Sequence, residues 1–280
     1  MEIFDRQATR SFNRFELKYL LSLQQAERFK TSLQPYMMPD QYGANQGHYD
    51  ITNLYYDSPE LRCYWEKENG VRVRRKLRLR SYGRTLITED TPIFLEIKQR
   101  VNRVIQKRRA VLPYGEALRL CNDRELPEAE PEDRDVIEEI YAFLWQYNLR
   151  PMSMVHYHRQ AFMGTAYDSG LRITFDTQLA CQSHALHLHE AFAGRSMFPV
   201  NMVVMEIKIN ERLPIWLSEL IAHHNLEVDR ISKYSRSIEA AAQMPSLQLR
   251  CLPPESAQDI LSSTHSIFPP IRSKTQVSRN

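Results

Sequence analysis

The four cysteines, Cys63, Cys121, Cys181 and Cys251, form no CxxC pair. That spacing speaks against a zinc ribbon or a disulfide framework and suits ordinary thiols in a reducing compartment. Glycine is scarce, at 8 of 280 residues, so collagen-like and low-complexity architectures fail. No apolar run approaches the length of a membrane-spanning helix. The stretch MEIFDRQATRSFNRFELK is charged throughout and lacks the apolar core of a signal peptide, so a cytoplasmic protein is expected. Neither GxxxxGK[ST] nor GxGxxG occurs, which leaves P-loop and Rossmann nucleotide sites without support.

What is present is a globular composition, 42% hydrophobic and 25% charged, enough to bury a core. Net charge is only +3, but the charge is strongly segregated. Residues 71–80, VRVRRKLRLR, carry six basic side chains in ten, and residues 98–109, KQRVNRVIQKRR, carry six in twelve. An acidic run, DRELPEAEPEDRDVIEE, occupies 123–139. Dense local basicity implies an anionic partner or a heavily solvated face.

Apolar periodicity predicts strands over 12–21, 49–56, 71–80, 152–165, 170–179 and 201–210, with a long strand or strand pair over 93–112. Helices are predicted around 22–34, 59–68, 114–121 and 134–147, in LPIWLSELIAHHN and in SKYSRSIEAAAQM, with Asp57-Ser58-Pro59 read as the N-terminal cap of the 59–68 helix. Strands with helices inserted between them, without regular βαβ alternation, favour an antiparallel α+β domain over 1–244. From 245 to 280 the pattern dissolves into Ser, Pro and Gln and reads as a flexible C-terminal tail.

The informative feature is how often one strand face is ionic. Glu-x-Lys recurs as Glu16/Lys18, Glu96/Lys98 and Glu206/Lys208, and two positions apart on a strand is the same side. Arg78 with Arg80, Lys107 with Arg109, and Arg172 with Thr174 and Asp176 repeat the arrangement. A sheet with one solvated face is the plainer explanation. The arginine excess favours the sharper one: a closed antiparallel barrel with the charged face inside, helices packed outside, and a polyanion neutralising the lumen. The aliphatic residues interleaved with Arg72–Arg80 suggest packing behind the sheet and argue against nucleic acid, which would call for exposed aromatics among the basic residues.

The ordered series RFELKYLL, NLYYDSPELRCYWE, KLRLRSYG, FLEIKQRVNRVIQKRRA, MVHYHRQAF, LRITFDTQL, VVMEIKI and ISKYSRSIE resembles the polyphosphate polymerase domain of the VTC family, within the triphosphate tunnel metalloenzyme (CYTH-like) superfamily. The likeness covers roughly residues 10–242. It implies a basic tunnel that binds ATP or another nucleoside triphosphate and polyphosphate, with Mn²⁺ or Mg²⁺. Carried over residue by residue, it places Lys18, Arg78, Arg80, Lys98, Arg159, Arg172 and Lys233 in the catalytic machinery. Lys107, Arg109, Lys208 and Ser232 fall at substrate-binding positions. Glu206 matches the metal-binding glutamate, and Glu96 stands as a second carboxylate on a tunnel strand. Hydrolytic relatives open with E-x-E-x-K, whereas this chain has Arg14-Phe15-Glu16-Leu17-Lys18. Arginine in place of the first carboxylate weakens a two-metal hydrolase or a cyclase and favours a polymerase; a hydrolase of the same fold and a silent polyphosphate binder are the alternatives. The resemblance covers the catalytic-type domain without the SPX domain and membrane segments of some eukaryotic relatives, so a membrane-protein partner for product export is conceivable. His184, His187 and His189 have metal-compatible spacing but read as a polar loop, and His156 and His158 read as sheet-face residues.

Overall fold

The computed structural model describes residues 15–242 apart from 42, 84–85, 103, 129 and 211, so Arg14 and the 245–280 stretch lie outside the described residues. The chain is an α+β domain built on one antiparallel sheet. The main strands are β1 (Phe15–Ser22), β3 (His48–Asp57), β4 (Val73–Tyr82), β5 (Pro92–Val101), β6 (Val104–Pro113), β7 (Arg150–Gly164), β8 (Arg172–Gln182) and β10 (Met202–Ile209), with short β2 (Met37–Pro39) and β9 (Arg195–Ser196) attached. They are ordered β1-β10-β8-β7-β3-β4-β5-β6, while β2 pairs with β7 and β9 with β8. The helices are α1 (Leu23–Leu33), α2 (Ala44–Gly47), α3 (Arg62–Glu68), α4 (Tyr114–Leu118), α5 (Pro131–Gln146), α6 (Ile215–His223) and α7 (Lys233–Ala242). Among the described residues no helix is long and apolar enough to cross a membrane.

The alternation read from the sequence decides which side of the sheet packs. Its apolar side is covered by helices in two clusters. Leu77, Leu79, Leu95 and Ile97 join Phe143 and Leu144 of α5 in one, and Tyr19, Phe175 and Ile207 join Phe29 of α1 and Leu217 of α6 in the other. The ionic side curls inward until β5 and β1 touch, Lys98 Nζ lying 3.0 Å from Glu16 Oε2.

The sheet is a tunnel wall, but its ladder does not close as a barrel: β1 and β6 are its two ends. A backbone group on each end strand is met by another element. Val111 N–H of β6 donates to Asp133 Oδ2 of α5 (3.1 Å), and Lys18 C=O of β1 accepts from Asp229 N–H (2.7 Å). These two backbone groups, satisfied in this way, are not available for strand pairing.

The helix expected from residue 59 begins at Arg62. Its N-cap position is Leu61 in a left-handed conformation, without a side-chain cap. The Asp57-Ser58 pair caps it from a distance: Ser58 Oγ accepts Arg62 N–H, and Asp57 accepts Cys63 N–H (2.7 Å) and Tyr64 N–H (3.0 Å). The chain loops out over 59–61 while the side chains still satisfy the helix's orphan donors. The 93–112 segment resolves into the hairpin β5–β6, and the predicted 114–121 helix ends in a π-helical turn over Arg119–Asp123.

Candidate functional site

The tunnel side of the sheet carries four buried or half-buried carboxylates, Glu16, Glu96, Asp176 and Glu206, each held by cations from neighbouring strands. Strand register explains the meetings. Arg78 and Glu96 are cross-strand partners on β4 and β5, as are Glu96 and Arg109 on β5 and β6, and Arg159 and Asp176 on β7 and β8. On β1 and β10, Lys18 faces Glu206 and Glu16 faces Lys208. Directly opposed residues of an antiparallel pair present their side chains to the same face.

On one wall, Glu96 is 1% exposed. Its carboxylate receives Arg78 Nη2 at 2.6 Å, Lys107 Nζ at 2.7 Å and Arg80 Nη1 at 3.7 Å. Burial pushes the Glu96 pKa up, but Arg80, Lys107 and Arg78 outweigh it and hold the carboxyl well below its usual range. Arg80 is fixed further by Asn53 Oδ1 (2.8 Å) and reaches the hydroxyls of Tyr82 and Tyr157. Arg78 also donates to Tyr55 OH (3.3 Å), and Arg109 lies over the Phe94 ring.

On the other wall, Glu206 collects Lys233 (2.6 Å), Lys208 (3.2 Å), Lys18 (3.3 Å) and Arg159 (3.6 Å). Asp176 is fully buried, receives Arg159 Nε and Nη2 at 2.6 and 2.7 Å, and shares Lys233 Nζ with Glu206 at 2.7 Å. Lys18 Nζ likewise bridges Glu206 and Glu16 (3.1 Å). Burial opposes ionisation of Glu206, yet Lys233, Lys18, Lys208 and Arg159 keep it well below the ordinary range. For Lys208 burial wins over Glu206, and its pKa falls to about 7. Arg172 binds Asp40 (2.7 Å) and Tyr49 OH (2.6 Å).

Lys233 arrives from a helix rather than a strand. Ser232 precedes α7, and its Oγ accepts Ser235 N–H (3.2 Å), which fixes the first turn and aims Lys233 into the tunnel. The same Ser232 hydroxyl accepts from Lys76 Nζ (3.1 Å).

The structure thus gathers most of the sequence-derived residues into two ion clusters, with Lys98 and Glu16 across the seam, while Arg172 is held by Asp40 and Tyr49 and Ser232 receives Lys76. The two carboxylates expected to hold metal fall in different clusters, and among the described residues no cation pairs with both. Participants not assigned roles from sequence include Glu16, which bridges Lys18 and Lys98; Asp176, which anchors Arg159 and Lys233; Lys76; and Thr174. Thr174 lies opposite Glu206 in the ladder, and its buried hydroxyl has no hydrogen-bond partner. Same-face spacing from Arg172 was the signal for Asp176 and Thr174, and same-face spacing from Arg78 was the signal for Lys76.

The histidines lie elsewhere. His156 and His158 stand on the opposite side of the sheet, His158 Nδ1 being 3.3 Å from Asp50 and His156 Nδ1 3.0 Å from Thr52 Oγ1. The His187 and His189 rings lie tilted against each other, and His189 meets Tyr114 edge-on. Among the described residues no group of three or more His, Cys, Asp or Glu side chains is arranged to hold a metal by itself.

Among solved structures, the chain is similar to a Bacillus halodurans protein described as a candidate adenylate cyclase, at 12% identity and a TM-score of 0.44 over 79% of this chain and 94% of that one. It is similar to the PH1819 protein of Pyrococcus horikoshii at 12% identity and 0.41, over 81% and 99%. A chain of the Schizosaccharomyces pombe Mediator head module matches at 9% and 0.38, over 76% and 90%. No curated protein matches. The VTC domain family model matches residues 13–242, nearly all of the described chain, and the protein belongs to the VTC domain family.

Proposed function

We propose that the protein is a polyphosphate polymerase that transfers the γ-phosphate of a nucleoside triphosphate, such as ATP, onto the end of a polyphosphate chain held in the tunnel. The observation that carries this reading is the cation surplus. Each inward carboxylate is already shared among several lysines and arginines, and like charges still crowd one another on both walls. Only a ligand with closely spaced negative charges along its length neutralises such a lining.

Phosphoryl transfer asks mainly for positioning and charge neutralisation. Arg78, Arg80, Arg159 and Arg172 present forks suited to phosphate oxygens; Lys18, Lys98, Lys107, Lys208 and Lys233 act as point charges, with Arg109 and Ser232 at the margins. The attacking group is a terminal phosphate oxygen of the growing chain. Its lone pair forms the new P–O bond while the bond from the γ-phosphorus to the bridging oxygen breaks, and the nucleoside diphosphate leaves with that electron pair. The attacking oxygen is already ionised, so no general base is required.

The residues fit Mn²⁺ or Mg²⁺ brought in on phosphate oxygens. Glu206 supplies a carboxylate that stays ionised, and the unpartnered Thr174 hydroxyl lies opposite it in the ladder. Mg²⁺ commonly uses one or two carboxylates plus substrate phosphates, which matches a site with no all-protein cage. When bound, the ion neutralises charge on the transferring phosphoryl group. Glu96, whose ladder partners are Arg78 and Arg109 rather than a hydroxyl, serves in this reading to hold Arg78 and Arg80.

The test is incubation with ATP and Mn²⁺ followed by a gel for long phosphate chains. Chain growth supports the polymerase. Free phosphate released from tripolyphosphate without growth identifies the hydrolase, and binding without turnover identifies a silent binder. Double-stranded DNA competing as well as polyphosphate would count against the tunnel site altogether.

A further inference from the structure

Lys76 lies on β4 on the same side as Arg78 and Arg80 and directly opposite Lys98 of β5. It differs from the other tunnel lysines in what it touches. Its hydrogen bond goes to a neutral oxygen, Ser232 Oγ at 3.1 Å, and its ammonium stands 4.9 Å from the centre of the Tyr234 ring. Lys18, Lys98, Lys107, Lys208 and Lys233 all reach a carboxylate.

The surroundings come from every element around it. Asp57 of β3 is the near carboxylate, but its oxygens are committed to Ser58 N–H, Cys63 N–H, Tyr64 N–H and Tyr234 OH. Cys63 of α3 is a buried thiol whose pKa burial drives far up, so it carries no charge at neutral pH. Lys18 of β1 and Lys98 of β5 add positive charge, Ser232 just before α7 offers its hydroxyl, and α7 itself brings the Tyr234 ring. A half-buried ammonium with this company has donors to spare and no anion to receive them.

We infer that Lys76 is an additional phosphate-contacting residue of the tunnel, and that it takes up a proton as the anion arrives, so that phosphate-chain binding weakens above neutral pH. The inference rests on the proposed phosphate-chain reading of the tunnel and adds its regulation by pH. Burial, reinforced by Lys18 and Lys98 and only partly offset by Asp57, lowers the Lys76 pKa to about 7. A phosphate oxygen at Nζ favours the charged form and raises that value. The sign follows: the bound state has the higher pKa, so affinity is level below pH 7 and falls by up to about tenfold per unit above it until the bound-state pKa is reached.

The experiment is calorimetric titration of the full chain with tripolyphosphate between pH 6 and 8.5, in buffers of different ionisation enthalpy, comparing wild type with Lys76→Arg and Lys76→Met. Tripolyphosphate titrates too, and Lys208 is present in every variant, so the readout is the difference between variants. Wild type is expected to take up more protons per bound chain at pH 8 than Lys76→Arg, whose guanidinium is always charged. Lys76→Arg is expected to keep its affinity with a flatter pH profile. Lys76→Met is expected to bind about tenfold or more weakly at pH 6, the loss of one charge-assisted hydrogen bond. Equal proton uptake and parallel pH profiles in wild type and Lys76→Arg, or full affinity in Lys76→Met, would overturn the inference while leaving the tunnel reading intact. Failure of wild type itself to bind tripolyphosphate at any pH would overturn both.

Discussion

Replacing Glu96 by glutamine keeps the size of the side chain and removes its charge. Glu96 is 1% exposed and anchors three cations, with Arg78 and Lys107 within 2.7 Å. Breaking a buried ion pair by removing one partner costs about 3–5 kcal/mol, because the surviving charges stay desolvated. The Lys107 side chain is 41% exposed and Arg78 20% exposed, so both can turn partly towards water, which places the expected loss near the lower end, about 3 kcal/mol. In a domain of this size that corresponds to a fall of about 6–12 °C in Tm. Tripolyphosphate should then act as a substitute counter-ion. Ligand at a hundred times its Kd stabilises by about 2.7 kcal/mol, so most of the loss should return on adding it, with a larger ligand-induced rise in the variant than in wild type. Differential scanning fluorimetry with and without tripolyphosphate reads both quantities. A Tm change below about 2 °C would refute the reasoning. Unchanged stability with weakened Mn²⁺ binding would instead make Glu96 a metal ligand.

Arg80→Ala removes a guanidinium held by Asn53 and Glu96, and tripolyphosphate affinity should fall about tenfold or more by titration calorimetry while circular dichroism shows the fold intact. Glu206→Ala should abolish metal-dependent turnover yet preserve or tighten phosphate-chain binding, because it makes the tunnel more positive; activity similar to wild type would overturn the role given to Glu206. Acid should destabilise late. Glu16, Glu96, Asp176 and Glu206 all have folded-state pKa values below their ordinary ones, so their contribution is complete above the unfolded carboxylate range of about 4 and is lost as pH falls through the lowered values. Thermal melts should therefore hold their Tm from pH 7 to pH 5 and decline below about 4; a decline beginning near pH 6 contradicts this.

The period-two pattern made the tunnel wall legible before any coordinates. Glu16 and Lys18, Arg78 and Arg80, Glu96 and Lys98, and Glu206 and Lys208 all lie on one face because nothing but strand geometry is needed to put them there. Long-range pairing was another matter. Lys233 and Glu206 meet across a helix terminus and a strand, and Asp57 caps α3 across a looped-out segment while also accepting from Tyr234 of α7. Such contacts depend on how elements dock, which alternation does not encode. The tunnel wall expected from the alternation is present, with its ladder open between β1 and β6. The alternation also runs past the end of the wall: Arg72 is exposed, and Arg74 turns back to Val71 C=O (2.8 Å).

A crystal structure of the chain soaked with Mn²⁺ and tripolyphosphate tests the central claim most directly. The account predicts phosphate density between the two ion clusters, with Arg78, Arg80, Arg159 and Lys233 within about 3 Å of its oxygens and the metal beside Glu206. Phosphate found only on outer-surface lysines, with the tunnel cations still locked on their carboxylates, would contradict it.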